Sequence, residues 1–275
     1  MSALAVRPLT AQIGAEIDGV DLSAPLESDT LAAVRAAMLE HIVLVFRDQH
    51  LDEAQHIAFA QQFGDVHLPP VPTKHGGPPE INVLDQMNPK GDGADLWHSD
   101  NSYIATPPMG SVLKAVQIPS VGGDTCFANM YAAYDALSGP MKRYVEDLVA
   151  VHDVTGSLLR AVQGGNADFD VDALRRKMPP VEQPVVRTHP ETGRRLLYVN
   201  EASTAYIKDV PPRESDEVLS LLYSQARSPE VQCRVQWHDG DVVFFDNRCA
   251  QHYAVPDYHE RRVMHRVTIR GDRPV

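Results

Sequence analysis

The hydrophobic pattern of the chain switches between short apolar runs and longer amphipathic stretches. Residues 41–46, His-Ile-Val-Leu-Val-Phe, form a continuous apolar, β-branched run and predict a buried strand. Residues 28–40 carry Leu31, Val34, Met38 and Leu39 at helical spacing, and predict a helix capped by Ser28 or Asp29. A second helix is expected over 52–63, stopped by Gly64, and further helices over 130–137, 139–150 and 212–226. Short strands are expected within 4–24, with turns at Gly14 and Gly19, and over 81–84, 111–117 and 125–128. Residues 185–188 and 195–199 flank His189-Pro190-Glu191-Thr192-Gly193 and predict a hairpin. Strands over 231–237, 241–245 and 262–269 complete the set, with Asp239-Gly240 as the turn between the first two. Residues 69–79, rich in proline and glycine, predict a loop, and the polar stretch 85–97, with Gly91 and Gly93, a mobile segment. Residues 154–180, with Gly164-Gly165-Asn166 and Pro179-Pro180, follow no clear period and are expected to form a lid or inserted excursion. No repeat or linker interrupts the chain. A single domain over 1–275 is expected, mostly β, with antiparallel strands around a core and flanking helices.

Composition narrows the class. The 275 residues are 43% hydrophobic and 23% charged, ordinary for a globular protein. No apolar run reaches the roughly 18 residues a membrane helix needs, so no membrane partner is expected. The first ten residues lack a charged stretch followed by an apolar core, so no secretion signal is expected. Cys126, Cys233 and Cys249 form no CxxC and no disulfide framework, which points to the cytoplasm. The net charge of −12, with no basic stripe, argues against nucleic acid. An anionic substrate would therefore need a local arginine cluster.

Two stretches offer chemistry. In Trp97-His98-Ser99-Asp100, extended backbone would turn His98 and Asp100 to one side and Ser99 to the other. A third ligand is available far downstream in Asp246-Asn247-Arg248-Cys249-Ala250-Gln251-His252, with His265 as a rival. Two imidazoles and one carboxylate leave one side of an ion open, as non-heme Fe(II) oxygen chemistry requires. The same ligands could instead serve a zinc hydrolase, although no general base stands beside either stretch. A metal-free anion-binding jelly roll is the third reading. Near the C-terminus, Arg262 and Arg266 are four apart on a predicted strand and share a face, so two guanidinium forks could enter one cavity.

These blocks together resemble the taurine dioxygenase/TfdA-like family of Fe(II)- and 2-oxoglutarate-dependent dioxygenases. The resemblance spans the chain, from Ile13-Gly14-Ala15-Glu16-Ile17-Asp18-Gly19-Val20 through Trp97-His98-Ser99-Asp100 and Gly122-Gly123-Asp124-Thr125. It continues in Pro184-Val185-Val186-Arg187-Thr188-His189-Pro190, in the His252 block and in residues 261–268. It implies a double-stranded β-helix, or cupin-like jelly roll, with helices outside. It implies that His98, Asp100 and His252 hold Fe(II) and form the catalytic centre. Thr125 and Arg262 would bind the distal carboxylate of 2-oxoglutarate, and Arg266 the anionic group of the substrate. O2 and 2-oxoglutarate would be consumed, succinate and CO2 released and a substrate carbon hydroxylated. If that carbon bears sulfur or oxygen, collapse to an aldehyde or ketone would release an anion. Asp100 separates the chain from halogenating relatives, which lack this carboxylate.

The family's taurine-specific polar contacts fall on Pro69, Pro72 and Ala94, so a less polar tail than taurine's is expected. Sulfonates, sulfate esters and aryloxyalkanoates all fit, with His67 and Asn101 as further candidate substrate contacts. A homo-oligomer, dimer or tetramer, is expected from the family habit.

Overall fold

The computed structural model describes residues 4–69, 77–87, 94–163 and 170–275. In chain order the strands of the first half are β1 (Ala5–Pro8), β2 (Ala15–Asp18), β3 (Val43–Phe46), β4 (Val66–His67), β5 (Asn82–Gln86), β6 (Gly110–Gln117), β7 (Thr125–Asn129) and β8 (Val149–His152). The second half adds β9 (Val181–Pro184), β10 (Val186–Thr188), β11 (Arg195–Leu197), β12 (Thr204–Ile207), β13 (Gln232–Val235), β14 (Val242–Asp246), β15 (Ala250–Ala254) and β16 (Arg262–Ile269). The helices are α1 (Ser28–His41), α2 (Glu53–Gln61), α3 (Met130–Asp135), α4 (Gly139–Val145), α5 (Thr155–Gln163), α6 (Val171–Lys177) and α7 (Pro212–Ala226).

The frame is a large sheet in the order β1-β2-β3-β14-β6-β16-β4, with β5 paired to β16 on the same edge as β4. All its pairings are antiparallel except β2 with β3. Residues 43–46 of β3 and 242–245 of β14 are apolar at every position because both faces are covered. Leu44 and Phe46 of β3, with Val242 and Phe244 of β14, pack on Val34 and Met38 of α1 and Phe59 of α2. Val43, Val45, Val243 and Phe245 point the other way, into a second core. That core is closed by Phe127, Val235 and Ala250 of a three-stranded sheet, β13-β7-β15. The alternation of side chains along a strand thus sends each apolar run into two cores at once.

Several boundaries differ from the sequence reading. Glu27, not Ser28 or Asp29, occupies the N-cap of α1, without a side-chain cap. Asp52 caps α2 in a reciprocal box with Gln55. The helix expected over 139–150 ends at Val145, and Val149–His152 is instead the central strand of a third sheet, β12-β8-β9. Residues 154–180 contain α5 and α6, which pack Leu158 and Leu174 with Tyr103, Val154 and Met178. Gly91, Gly93, the Gly164-Gly165-Asn166 turn and most of the expected 69–79 loop lie outside the described residues. No helix among the described residues is long and apolar enough to cross a membrane.

Candidate active site

The two chemistry-bearing stretches meet between the large sheet and the β13-β7-β15 sheet. The backbone N–H of His98 donates to the His252 carbonyl at 3.0 Å, and that of His252 to the His98 carbonyl at 2.8 Å. This isolated antiparallel bridge joins segments that are distant in sequence and sets the two rings 4.1 Å apart between centroids. On the neighbouring residues, Trp97 stacks on Tyr253 at 5.7 Å. Ser99 turns away, as expected, and donates its hydroxyl to the Ala250 carbonyl at 2.8 Å. Asp100 opens a turn rather than continuing a strand. Its backbone is clamped by Asn247, which accepts its N–H at 2.7 Å and donates to its carbonyl at 3.0 Å.

The result is a compact donor set. His98 Nε2 and His252 Nε2 each lie 3.9 Å from Asp100 Oδ1, and the three ligand atoms fall within 4.8 Å of one another. The His98 Nδ1–H faces the Leu96 carbonyl at 2.7 Å, which leaves the Nε2 lone pair turned to the triad. Ser111 donates to Asp100 Oδ2 at 2.9 Å, and Arg266 contacts Oδ1. Burial alone would raise the Asp100 carboxyl, but Arg266, His252, His98 and the Ser111 hydroxyl hold it at about 2. Burial lowers both imidazoles, His252 to about 3, against the pull of Asp100. Two neutral imidazoles and an ionised carboxylate are the protonation states that metal binding demands. Nitrogen and oxygen donors in this number suit Fe(II), so the residues fit the ion.

The triad opens on a cavity of about 360 Å³. Arg262, Met264 and Arg266 line it from one face of β16, and His265 points to the opposite face, 4.0 Å from Glu53. His265 is therefore not the third ligand. Arg262 donates through Nε to the Gly123 carbonyl at 3.0 Å and through Nη2 toward Thr125 Oγ1 at 3.4 Å. Gly123 has a φ of +76°, and a Cβ there would lie 3.2 Å from Arg262 Cδ, so the glycine admits the guanidinium. Asn101 lines the cavity with its Oδ1 accepting from the Tyr103 hydroxyl at 2.9 Å. Its φ of 51° is a left-handed conformation that asparagine tolerates. His67 is half-buried, pairs with Thr268 on β4 and does not line the cavity. Ala94 does line it, Pro69 does not, and Pro72 lies outside the described residues.

A second cluster, His189, Asp246 and Cys249, is buried behind the triad. Both Asp246 oxygens are engaged, by Arg248 at 2.9 and 2.6 Å and by His189 at 3.0 Å. Burial pushes the Cys249 thiol well up, so it stays protonated. This group anchors the turn from β14 into β15 and so fixes where His252 stands. The sequence reading gave no role to Ser111 or to Asn247. Asn247 sat in plain view inside the downstream motif, whereas Ser111, a serine near the start of a strand, carried no signal.

Comparison with known proteins agrees with this geometry. A family model described as "Taurine catabolism dioxygenase TauD, TfdA family" matches residues 5–268. An alkylsulfatase of Acinetobacter baylyi is 37% identical, over 98% of this chain and 86% of its own. An alpha-ketoglutarate-dependent sulfate ester dioxygenase of Pseudomonas putida is 35% identical, over 99% and 91%. An alpha-ketoglutarate-dependent 2,4-dichlorophenoxyacetate dioxygenase of Cupriavidus pinatubonensis is 34% identical, over 96% and 97%. Among solved structures, a taurine dioxygenase from Burkholderia xenovorans superposes with a TM-score of 0.85 at 38% identity, covering 100% of this chain and 91% of that one. AAD-2 in complex with Mn(II) and N-oxalylglycine gives 0.85 at 33% identity, covering 99% of each chain. The chain belongs to the TauD/TfdA family and is a 2-oxoglutarate-dependent dioxygenase.

Proposed function

We propose that this protein hydroxylates a small organic anion of the sulfonate, sulfate ester or aryloxyalkanoate type, with 2-oxoglutarate and O2 as co-substrates and succinate and CO2 as co-products. The observation that carries the site assignment is that one cavity holds both the His98–Asp100–His252 cluster and the Thr125–Arg262 pair. Fe(II) at the triad supplies the coupling of oxidative decarboxylation to hydroxylation of a carbon.

The chain's own residues do the rest. His98, Asp100 and His252 would hold the ion. Thr125 and Arg262 take the distal carboxylate of 2-oxoglutarate, a hydroxyl and a guanidinium for an acceptor-only group. Arg266 receives the anionic head of the substrate and Asn101 lies beside it. The part of the wall formed by Ala94, Ser157, Ala161 and Ala202 is small and mostly apolar, which suits an apolar tail better than an ammonium group. Within the three classes this favours alkyl sulfate esters and aryloxyalkanoates over taurine. When the hydroxylated carbon carries an ester or ether oxygen, its C–O bond breaks. The new hydroxyl then becomes a carbonyl, and sulfate or a phenol departs with the proton balance closed.

The two facing sheets are read as a double-stranded β-helix and the 275 residues as one domain. Three free cysteines support a cytoplasmic setting, and a dimer or tetramer is the expected assembly. Anaerobic titration with Fe(II) and 2-oxoglutarate tests the reading. A visible charge-transfer band, succinate formation only with O2 present, and loss of both in His98→Ala are expected. Substrate turnover that proceeds without O2 would overturn it.

A further inference from the structure

Thr125 has one hydroxyl, with two lone pairs and one proton to place. Trp237, buried at 4% exposure, donates its indole N–H to Thr125 Oγ1 at 3.0 Å. Arg262 Nη2 approaches the same oxygen at 3.4 Å. Both acceptor positions of the hydroxyl are thus taken by donors. Its own proton must point elsewhere, and no acceptor for it is found among the described residues. Thr125 lines the cavity next to Arg262, so the direction left to the proton is into that cavity.

The sense of this arrangement is fixed by chemistry as well as by geometry. An indole nitrogen can only donate, and so can a guanidinium. A hydroxyl or amide at position 237 could exchange roles with Thr125 and let its proton turn inward. Indole cannot. A carboxylate is acceptor-only, so a threonine that presented a lone pair to it would repel it, while one that presents its proton binds it. The strand register places the donor. Val235 of β13 is the partner of Thr125 on β7, and Trp237 follows two residues later, past the end of the strand. Neither Arg262 nor Thr125 alone specifies which way the hydroxyl donates.

We infer that Trp237 is a positioning residue for the co-substrate: its indole N–H commits the Thr125 hydroxyl to donate to the distal carboxylate of 2-oxoglutarate. The inference rests on the assignment of Thr125 and Arg262 to that carboxylate. Trp237→Phe keeps a large apolar ring and removes only the donor. It raises the KM for 2-oxoglutarate by about ten-fold, the scale of one hydrogen bond to a charged group. The kcat at saturating 2-oxoglutarate and the KM for the organic substrate stay unchanged. Anaerobic calorimetry of 2-oxoglutarate binding to the Mn(II)-loaded protein shows the same factor without turnover.

Two controls separate this role from packing. Pyruvate, a 2-oxo acid without the distal carboxylate, binds wild type and Trp237→Phe alike. In a Thr125→Val background, Trp237→Phe adds no further loss. Equal weakening of pyruvate and 2-oxoglutarate, an undiminished effect on top of Thr125→Val, or an unchanged 2-oxoglutarate affinity would each overturn the inference. The premise is tested apart from it. If Thr125→Val alone leaves 2-oxoglutarate binding intact, the carboxylate assignment itself is wrong.

Discussion

A single aspartate at the centre of this site answers to four neighbours at once. Asp100 Oδ2 is fixed by Ser111, while Oδ1 faces both imidazoles and Arg266. The serine therefore orients the carboxylate so that Oδ1, the oxygen turned to His98 and His252, is the one that would meet a metal ion. Ser111→Ala leaves every ligand in place and removes only that hydrogen bond. Partners of this kind are worth roughly 10–100-fold in metal affinity. The expected outcome is Fe(II) or Mn(II) binding weakened by at least about ten-fold, with kcat recovered at saturating metal. Equilibrium dialysis against competing chelators measures it, and unchanged affinity would show that backbone clamping by Asn247 is sufficient on its own. The His98-x-Asp100 pair was legible because it is local. Ser111 was not, because its meaning depends on the register that sets Gly110 of β6 opposite Asp246 of β14 and so brings β6 beside the site.

Among the elements, helix α5 carries the specificity argument. Ser157 and Ala161 are four residues apart, share a helical face and line the cavity, while Leu158 packs with Tyr103, Val154 and Met178. Ala161→Leu fills part of the space a substrate tail would occupy. For a series of alkyl sulfates of increasing length, kcat/KM should fall at least about ten-fold for the longest and stay level for the shortest. A uniform loss across the series would place α5 outside the tail site. This helix lies in the stretch that showed no period in the sequence. Gly156 in its first turn and Gly164-Gly165 directly after Gln163 masked the helical spacing of Leu158, Ala161 and Val162. The strand β8 failed for a different reason. Val149–His152 follows directly on helix-forming residues, and its partners Gln183 and Thr204 are buried polar residues from far along the chain, so no apolar alternation announced a sheet. The strand carrying His252 was hidden similarly, since Gln251 and His252 are buried yet polar. By contrast β3, β14 and α7 were readable, because apolar runs covered on two faces and a long amphipathic helix leave marks that do not depend on distant partners.

Across the whole molecule, buried histidines tie the fold to pH. His56 is fully buried beneath β6, with Nε2 donating to the Val112 carbonyl at 3.0 Å, and Lys114 and His265 nearby. His152 is buried between the hydroxyls of Ser102 and Thr204, each at 3.1 Å. Burial lowers both imidazoles to about 3. The unfolded chain takes up a proton at each near pH 6.5, whereas the folded chain does not until about pH 3, so the unfolded state binds more protons throughout that window. Stability is then complete above about pH 6.5 and declines as pH falls toward 3. By pH 5 each histidine has removed on the order of 2 kcal/mol. Asp100, held at about 2, loses its contribution only below the ordinary carboxylate range and does not confuse the upper part of the curve. In metal-free protein, the thermal midpoint should fall steadily between pH 6.5 and 4.5. His56→Gln can keep a donor to Val112 but cannot titrate, and should flatten that decline by one proton while lowering the midpoint at pH 8. A slope unchanged by the substitution would mean that His56 gains its proton by local opening of α2 rather than by global unfolding.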